Sequence, residues 1–430
     1  MTTKDILNLK ENIAEDESIT SYEFHEYFPQ VGTDLNHRGE LRFTIENQDE
    51  FFYPSESYIT VEGQLTKVAA SAAYADTDII TLTNNAIMHL FSNCKYNLSG
   101  KELENLNHVG QATTMLGLLK YPDDFTKSSG MNQLWYKDTG TTASIVTNDG
   151  FKGRHGYIIK SPDPKGTFSF SIPLTHMFGF CEDYEKVVYG FKHVLTMARK
   201  SDEDAIFKHA DAGEGKINLT KVSWFMPTVV PSDMEKLALY KMIESKTNFD
   251  VGFRIRQCDT VTIPETTNFS WKLAVQSSPE KPRWLILGFQ TGKDGDQTTN
   301  PSIFDHCNLT NAHVMLNSTR YPEIDYLLNF TQNKYSRMYK QVSDFRKNYF
   351  GMDKLISSCN INPIDYKGLY PLFVFDVSKQ SERLKNSITD ITLKMNFSEN
   401  VAANTQAYAL VISDRIVKFQ SDGNKMAIVY

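Results

Sequence analysis

The sequence predicts an all-β chain built as two sandwich- or jelly-roll-type halves, and three observations carry that expectation. The chain has 430 residues, too long for one ordinary sheet domain and enough for two of about 200 residues each. β-Branched and aromatic residues dominate its apolar runs, with 27 Phe and 21 Tyr, and such residues favour pleated strands over helices. Strand-like segments recur at short intervals between turn residues, whereas only three segments carry helical signals.

Segment 42–53 (RFTIENQDEFFY) is apolar at Phe43 and Ile45, aromatic from Phe51 to Tyr53, and ended by Pro54. In 57–66 (SYITVEGQLT) Tyr58, Thr60 and Glu62 alternate with Ile59, Val61 and Gly63, a period of two interrupted by the glycine. The clearest half-buried strand is 166–173 (GTFSFSIP), where Phe168, Phe170 and Ile172 alternate with Thr and Ser. Strands are also expected over 187–197, 216–226, 284–289, 370–377, 388–397 and 407–419. Helices are expected over 109–120, stopped by Tyr121-Pro122, over 232–246 and over 335–349. The second opens with Pro231 and the capping-box spacing Ser232 to Glu235, with Met234, Leu237, Tyr240 and Ile243 expected on one face.

The halves also share an order of elements. Segment 93–105 (NCKYNLSGKELEN) reads as strand, tight turn and strand ahead of the 109–120 helix. Segment 311–323 (NAHVMLNSTRYPE) reads the same way ahead of the helix near Tyr335. Similar strands follow those helices, at Phe168–Ile172 and Leu372–Val377. Either one supersecondary order is used twice, with the 232–246 helix between the copies, or two all-β halves are alike by chance.

Composition excludes several functions. Net charge is −7, from 45 basic and 52 acidic residues spread along the chain, and the first 20 residues lean acidic. A grip on nucleic acid needs a basic patch to displace counterions, so direct genome binding through the N-terminus is not expected. The five cysteines, Cys94, Cys181, Cys258, Cys307 and Cys359, are scattered and lack CxxC spacing, so reduced thiols are expected rather than disulfides or structural zinc. No secretory h-region opens the chain and no run of 18 apolar residues occurs, so cytosolic synthesis and no membrane span are expected. Seven N-x-[ST] sites, for example at Asn97, Asn308 and Asn329, then report only a chain rich in Asn, Ser and Thr.

Chemical motifs are likewise missing. In 210–217 (ADAGEGKI) the glycine spacing of a phosphate loop is absent and Ile217 stands where a magnesium-binding hydroxyl belongs, which leaves a Gly-rich turn. Asp294-Gly295-Asp296 lacks the other ligands of a calcium loop and reads as a hairpin turn. No HExxH occurs, and His176 and His193 lie in apolar segments read as strands, where a satisfied core or interface histidine is the ordinary case. No catalytic residue, cofactor site or metal site is therefore nominated.

Several blocks carry a family resemblance. They are Asn84-Asn85-Ala86-Ile87-Met88-His89-Leu90-Phe91 with Tyr96-Asn97-Leu98-Ser99-Gly100-Lys101, the stretch from Gln111 to Tyr121, and Ser171-Ile172-Pro173-Leu174-Thr175-His176-Met177-Phe178. The stretch from Gly190 to Phe207, Asn300-Pro301-Ser302-Ile303-Phe304-Asp305-His306, Tyr321-Pro322 and Phe373-Val374-Phe375-Asp376 complete the set. In this order the chain resembles the double jelly-roll major capsid proteins of Polinton (Maverick) elements, adintoviruses and related DNA viruses. It departs from that pattern at Ser302, where an aromatic is usual, and at Met177, where an acid is usual.

The resemblance implies two tandem eight-stranded jelly rolls with short helices in loops and an inter-domain helix. It divides the chain into an arm (1–22), a first roll (23–230), a linker helix (231–247) and a second roll (248–430). The arm either reaches a neighbouring capsomer or stays an untethered tail. A homotrimer would present six rolls as a pseudo-hexameric capsomer that tiles an icosahedral shell around a DNA genome. Penton or minor capsid proteins would be further partners, with synthesis in the host cytoplasm and residence in the virion. Tyr121, Trp135 and Tyr136 are the candidate subunit-contact aromatics, with capping of their own sandwich as the alternative. The competing function is a carbohydrate-binding or hydrolytic jelly-roll protein, which needs exposed Trp and paired carboxylates; the chain has four Trp and no evident pair.

Overall fold

The computed structural model describes residues 18–30, 34–245, 248–274, 280–352, 359–380, 390–421 and 426–429. The first half holds β1 (Ile19–Tyr27), β2 (Glu40–Ile45), β3 (Phe51–Phe52), β4 (Tyr58–Lys67), β5 (Ile80–Leu82), β6 (Phe91–Leu98), β7 (Lys101–Asn107), β8 (Thr167–Pro173), β9 (Val188–Tyr189), β10 (His193–Arg199), β11 (Ile206–Lys208) and β12 (Gly215–Pro231). After the Asp233–Glu244 helix come β13 (Phe249–Ile263), β14 (Asn268–Lys272), β15 (Lys281–Thr291), β16 (Leu309–Leu316), β17 (Thr319–Tyr321), β18 (Phe373–Asp376), β19 (Ile391–Phe397), β20 (Thr405–Ser421) and β21 (Met426–Val429).

Strand pairing shows one topology used twice. In the first half β1-β12-β4-β8 form one antiparallel sheet and β2-β10-β6-β7 the other. In the second half the sheets are β13-β20-β15-β18 and β14-β19-β16-β17. Matched in chain order, first strand to first and eighth to eighth, the two halves have identical neighbours: two four-stranded sheets, each mixing early and late strands. Such crossed pairing is the jelly roll, and each half is one eight-stranded roll. Short extra strands, β3 and β9 in the first sheet and β21 in the third, extend the rolls, and β5–β11 makes a separate ribbon.

Local chemistry explains the shared elements. The β6–β7 hairpin turns on Ser99 and Gly100, both at positive φ, the geometry whose twist matches flanking strands. In β4 the alternation is kept through Gly63, because a Cβ there would lie 2.6 Å from the Asn218 carbonyl oxygen and 2.8 Å from the Phe168 ring. The Val109–Lys120 helix is buried all round and sits under the connection from β7 to β8, and Ser336–Phe350 occupies the same place between β17 and β18.

Several sequence expectations need correction. Segment 42–53 is two strands in different sheets, β2 and β3, and 187–197 is split into β9 and β10 at Gly190, whose φ is +82°. Ser232 is the N-cap of the linker helix but its hydroxyl makes no capping bond. Residues spaced by three drift by about 60° per step on a 3.6-residue helix, so Met234 to Ile243 cannot share a face. Tyr240 packs on Phe51 and Tyr189, while Met234 and Leu237 are 75% and 60% exposed. Residues 19–22, assigned to an arm, open β1 and pair with β12, and the rest of the arm lies outside the described residues. His176 is in a short helix, Leu174–Met177, not a strand.

Candidate functional site: the seam between the rolls

β7 ends the second sheet and β13 ends the third, and an unpaired strand edge is a template for unwanted pairing. Here each edge is closed by side chains of the opposite roll. The outward amides of β13, two residues apart, donate to first-roll carboxylates: Arg254 N–H to Asp183 Oδ2 at 2.7 Å and Arg256 N–H to Glu104 Oε1 at 2.9 Å. In return Arg415 of β20 donates to the Leu103 carbonyl of β7. The backbones approach so closely that a Cβ on Gly179 would lie 1.5 Å from the Arg254 carbonyl oxygen.

A charged cluster fills the same place. Glu104 is buried on β7 and also accepts from the Gly179 and Phe180 amides, both at 3.1 Å. Burial pushes its pKa up to about 7, against Arg256 and these amides, which hold the ionised form. The Arg256 guanidinium donates to the Thr175 and His176 carbonyls at 3.1 and 2.9 Å and pairs with Glu182. Glu182 also pairs with Lys120 and accepts from the Tyr349 hydroxyl at 2.6 Å. The Arg254 guanidinium lies 3.8 Å from the Tyr349 ring centroid and pairs with Asp183. Acids come from the first roll and arginines from the second, so the pairing fixes which faces meet.

Burial alone would raise Glu182, but Arg256 and Lys120 overcome it and hold its pKa down at about 2. A carboxyl whose folded pKa is depressed stabilises the fold above its unfolded pKa and loses that contribution as pH falls through the folded value. The melting temperature is therefore expected to drop as pH falls from about 4.5 toward 2, where Glu182 takes up its proton. The variant Glu182→Gln should flatten that part of a calorimetric pH profile; an unchanged slope would remove Glu182 from the account.

Two further joints lie along the seam. Asp138 of the first roll, paired with Arg154 at 2.8 Å, accepts from Asn300 Nδ2 at 3.0 Å and Ser302 Oγ at 3.2 Å of the second, and the Tyr370 hydroxyl donates to its carbonyl at 2.7 Å. Ser302, a departure from the family pattern, thus supplies an inter-roll hydrogen bond. At the other joint the two motif look-alikes meet. The Gly295 amide of the Asp-Gly-Asp turn donates to Asp204 at 2.9 Å, and Gln297 exchanges two hydrogen bonds with Gly215 of the Gly-rich turn. Both turns dock one roll on the other.

Trp135 is fully buried by its own chain against Tyr121 and His176, so it offers no surface to a second subunit. The Tyr121 hydroxyl meets His176 Nδ1 at 2.8 Å and its ring borders a cleft of about 1030 Å³ between the rolls, with Lys120, Arg254 and Tyr349. Tyr136 is half-buried and packs beside Gly153. His176 and His193 are buried and hydrogen-bonded, to Asn85 and Tyr96 respectively, and burial drops both to about 3. Among the described residues no group of His, Cys, Asp and Glu is arranged to hold a metal ion, all five thiols are free, and no helix is long and apolar enough to cross a membrane.

Sequence reasoning missed Glu104, Asp138, Glu182, Arg254 and Arg256. Along β13 the arginines alternate with buried Val251, Phe253 and Ile255, a pattern also produced by a solvent-facing polar face. It also missed an aromatic stripe on the outer face of the first sheet. Tyr22 and Phe24 of β1, exposed to 42% and 44%, continue through Tyr58 to Phe225, with ring centroids 5.0–5.6 Å apart. Tyr58 also borders the cleft, so the stripe runs into it.

The model of the double jelly roll-like domain matches residues 80–417. Solved structures share the fold. A chain of the Sputnik virophage aligns over 100% of this chain and 92% of its own with a TM-score of 0.64 at 10% identity. The Faustovirus major capsid protein aligns over 97% and 94% with a TM-score of 0.57 at 10% identity. The mavirus major capsid protein aligns over 100% and 93% with a TM-score of 0.54 at 9% identity. No curated protein sequence matches the chain.

Proposed function

The chain belongs to the double jelly roll-like family, and from that premise we propose that it is a major capsid protein whose trimers tile an icosahedral shell around a DNA genome. The observation that carries this reading is the seam. Three polar joints, two of them buried and one part-buried, hold two rolls of identical topology side by side, giving each chain a double footprint. Three such chains present six rolls, a pseudo-hexagonal unit suited to a shell. The role is structural, with self-association as the working interaction, penton or minor capsid proteins as further partners, and the virion as destination after synthesis in the host cytoplasm. We place the contact between copies on the Tyr22–Phe24–Tyr58–Phe225 stripe and the adjoining cleft at Tyr121, with Tyr136 as a second contact. A continuous aromatic band, exposed at Tyr22 and Phe24 and half-buried at Tyr58 and Phe225, is the kind of surface that a second chain covers.

Light scattering and negative-stain microscopy test this together. The purified chain is expected at three times its 49.1 kDa mass with a hexagonal outline. Replacing Phe24 and Tyr58 by Ser should shift it toward monomer while the melting temperature stays near that of the parent. A parent protein that stays monomeric at high concentration would overturn the capsomer reading. A trimer unaffected by the substitutions would move the contact elsewhere.

A further inference from the structure

We propose that the seam between the rolls is a proton-operated latch at Glu104: with this carboxyl protonated the rolls stay closed, and with it ionised the seam opens more readily. The placement of the group carries the argument. Glu104 lies on β7, at the edge of the second sheet, and is 2% exposed. It accepts the Gly179 and Phe180 amides of its own roll and the Arg256 amide of the other, so the second roll closes over it.

The groups facing it do not neutralise it. From β13, Arg256 favours the ionised form, but its guanidinium is engaged by Glu182 and by the Thr175 and His176 carbonyls. Arg254 on the same strand pairs with Asp183, and Arg415 of β20 pairs with Glu280. The Gly179–Asp183 helix presents Cys181, Glu182 and Asp183, Lys120 pairs with Glu182, and β6 sets Tyr96 opposite Glu104. Burial pushes the Cys181 and Cys258 thiols and the Tyr96 and Tyr349 hydroxyls up, which keeps them uncharged near neutral pH.

A cavity of about 160 Å³ opens beside Glu104 between β7 and β13, bordered by Glu102, Asn107, Gln257, Asp259 and Arg415. Glu102 and Asp259 bring no counter-ion to Glu104. In the same cavity the Gln257 side-chain oxygen is buried with no partner among the described residues. It is an acceptor for a carboxyl that carries a proton.

Burial in these surroundings raises Glu104 to about 7, from an ordinary 4.5. Opening the seam returns the carboxyl to water and to that ordinary value, so opening releases the proton. The raised value stabilises the closed seam below about 4.5, and that contribution is lost as pH rises through 7. Across this window the open population rises by up to about ten-fold per pH unit, then levels off. Lys120 and Glu182, at about 8 and about 2, keep their charges over it. Whole-chain stability would mix in the buried His176 and His193, held at about 3, which gain stability over the same rise. The readout must therefore be local. This inference does not depend on the capsid reading, because it concerns contacts within one chain.

Hydrogen–deuterium exchange of the full chain, corrected for the chemical pH dependence of amide exchange, tests it. Opening at the Gly179, Phe180 and Arg256 amides is expected to rise about ten-fold or more between about pH 5 and pH 7. Amides of β16, which borders no part of the cavity, should show no such rise. In Glu104→Gln, which cannot ionise, the seam amides should lose the pH dependence. A flat profile in the parent overturns the proposal, and so does a rise that persists in Glu104→Gln. If that variant does not fold, Glu102→Gln and Asp259→Asn, at the other carboxyls on the cavity wall, make the assignment. A parental rise in both supports Glu104; loss of the rise in either overturns it.

Discussion

Gly179→Ala is expected to destabilise the protein by about 3 kcal/mol or more, a large value for a single methyl group. The added Cβ would sit 1.5 Å from the Arg254 carbonyl oxygen, far inside contact distance, and the atom it meets is backbone, not a side chain that could rotate away. Relief requires the Gly179–Asp183 helix to move off β13. That movement would also lengthen the bonds that the Gly179 and Phe180 amides give Glu104 and the bond that the Arg254 amide gives Asp183. The contrasting variant is Gly252→Ala, two residues from Arg254 on the same strand, where a Cβ meets nothing within 4 Å. It should be neutral or slightly stabilising, since a strand glycine loses more backbone entropy than alanine. Chemical denaturation of both variants checks the pair of outcomes. Equal midpoints would mean that the rolls are not held at this distance.

The second large effect is expected from Arg256→Met, at about 3–5 kcal/mol, the range for removing one partner of a buried ion pair. The guanidinium is enclosed between the rolls and serves Glu182 and two carbonyls, with Glu104 close by. Methionine fills similar space but removes one of the two cations ion-paired with Glu182, leaving Lys120, and leaves the Thr175 and His176 carbonyls without that donor. The loss comes from stranded charge more than from lost packing. Adding Glu182→Gln to Arg256→Met should therefore recover part of the stability, and the double variant should lose less than the two single losses added. Additive losses in urea titrations would show that the two side chains act separately.

Both expectations concern residues far apart in sequence, and this marks the limit of what could be read without the fold. The Arg256–Glu104 contact spans 152 positions and the Arg254–Asp183 contact 71. By contrast the repeated order of elements was legible. Segment 93–105 covers most of the β6–β7 hairpin, and 311–323 covers most of β16 and all of β17; each leads to a helix and then to β8 or β18. These features depend on turn residues and on a period-two pattern within ten or so positions, which any strand needs whatever it packs against. The Val109–Lys120 helix was legible for the same reason, with its stop at Tyr121-Pro122.

The breaks within 42–53 and 187–197 were less legible, since an apolar residue signals burial but not which of two sheets buries it. The candidate contact aromatics show the same ambiguity. Trp135 became core, while Tyr22 and Phe24, unremarked in sequence, became surface.

What the sequence determined by itself is the all-β character, the two-half length, the hairpins and helices of each half, and a family likeness spread over most of the chain. Tertiary structure alone decided how the two rolls meet: which edges face each other, that carboxylates close the amides of β13, and that Ser302 and the two Gly-rich turns are joints. The physical reason is range. Turn geometry and alternation are set by neighbours along the chain, whereas an edge amide finds its acceptor only after both rolls have closed and brought distant residues within hydrogen-bond reach.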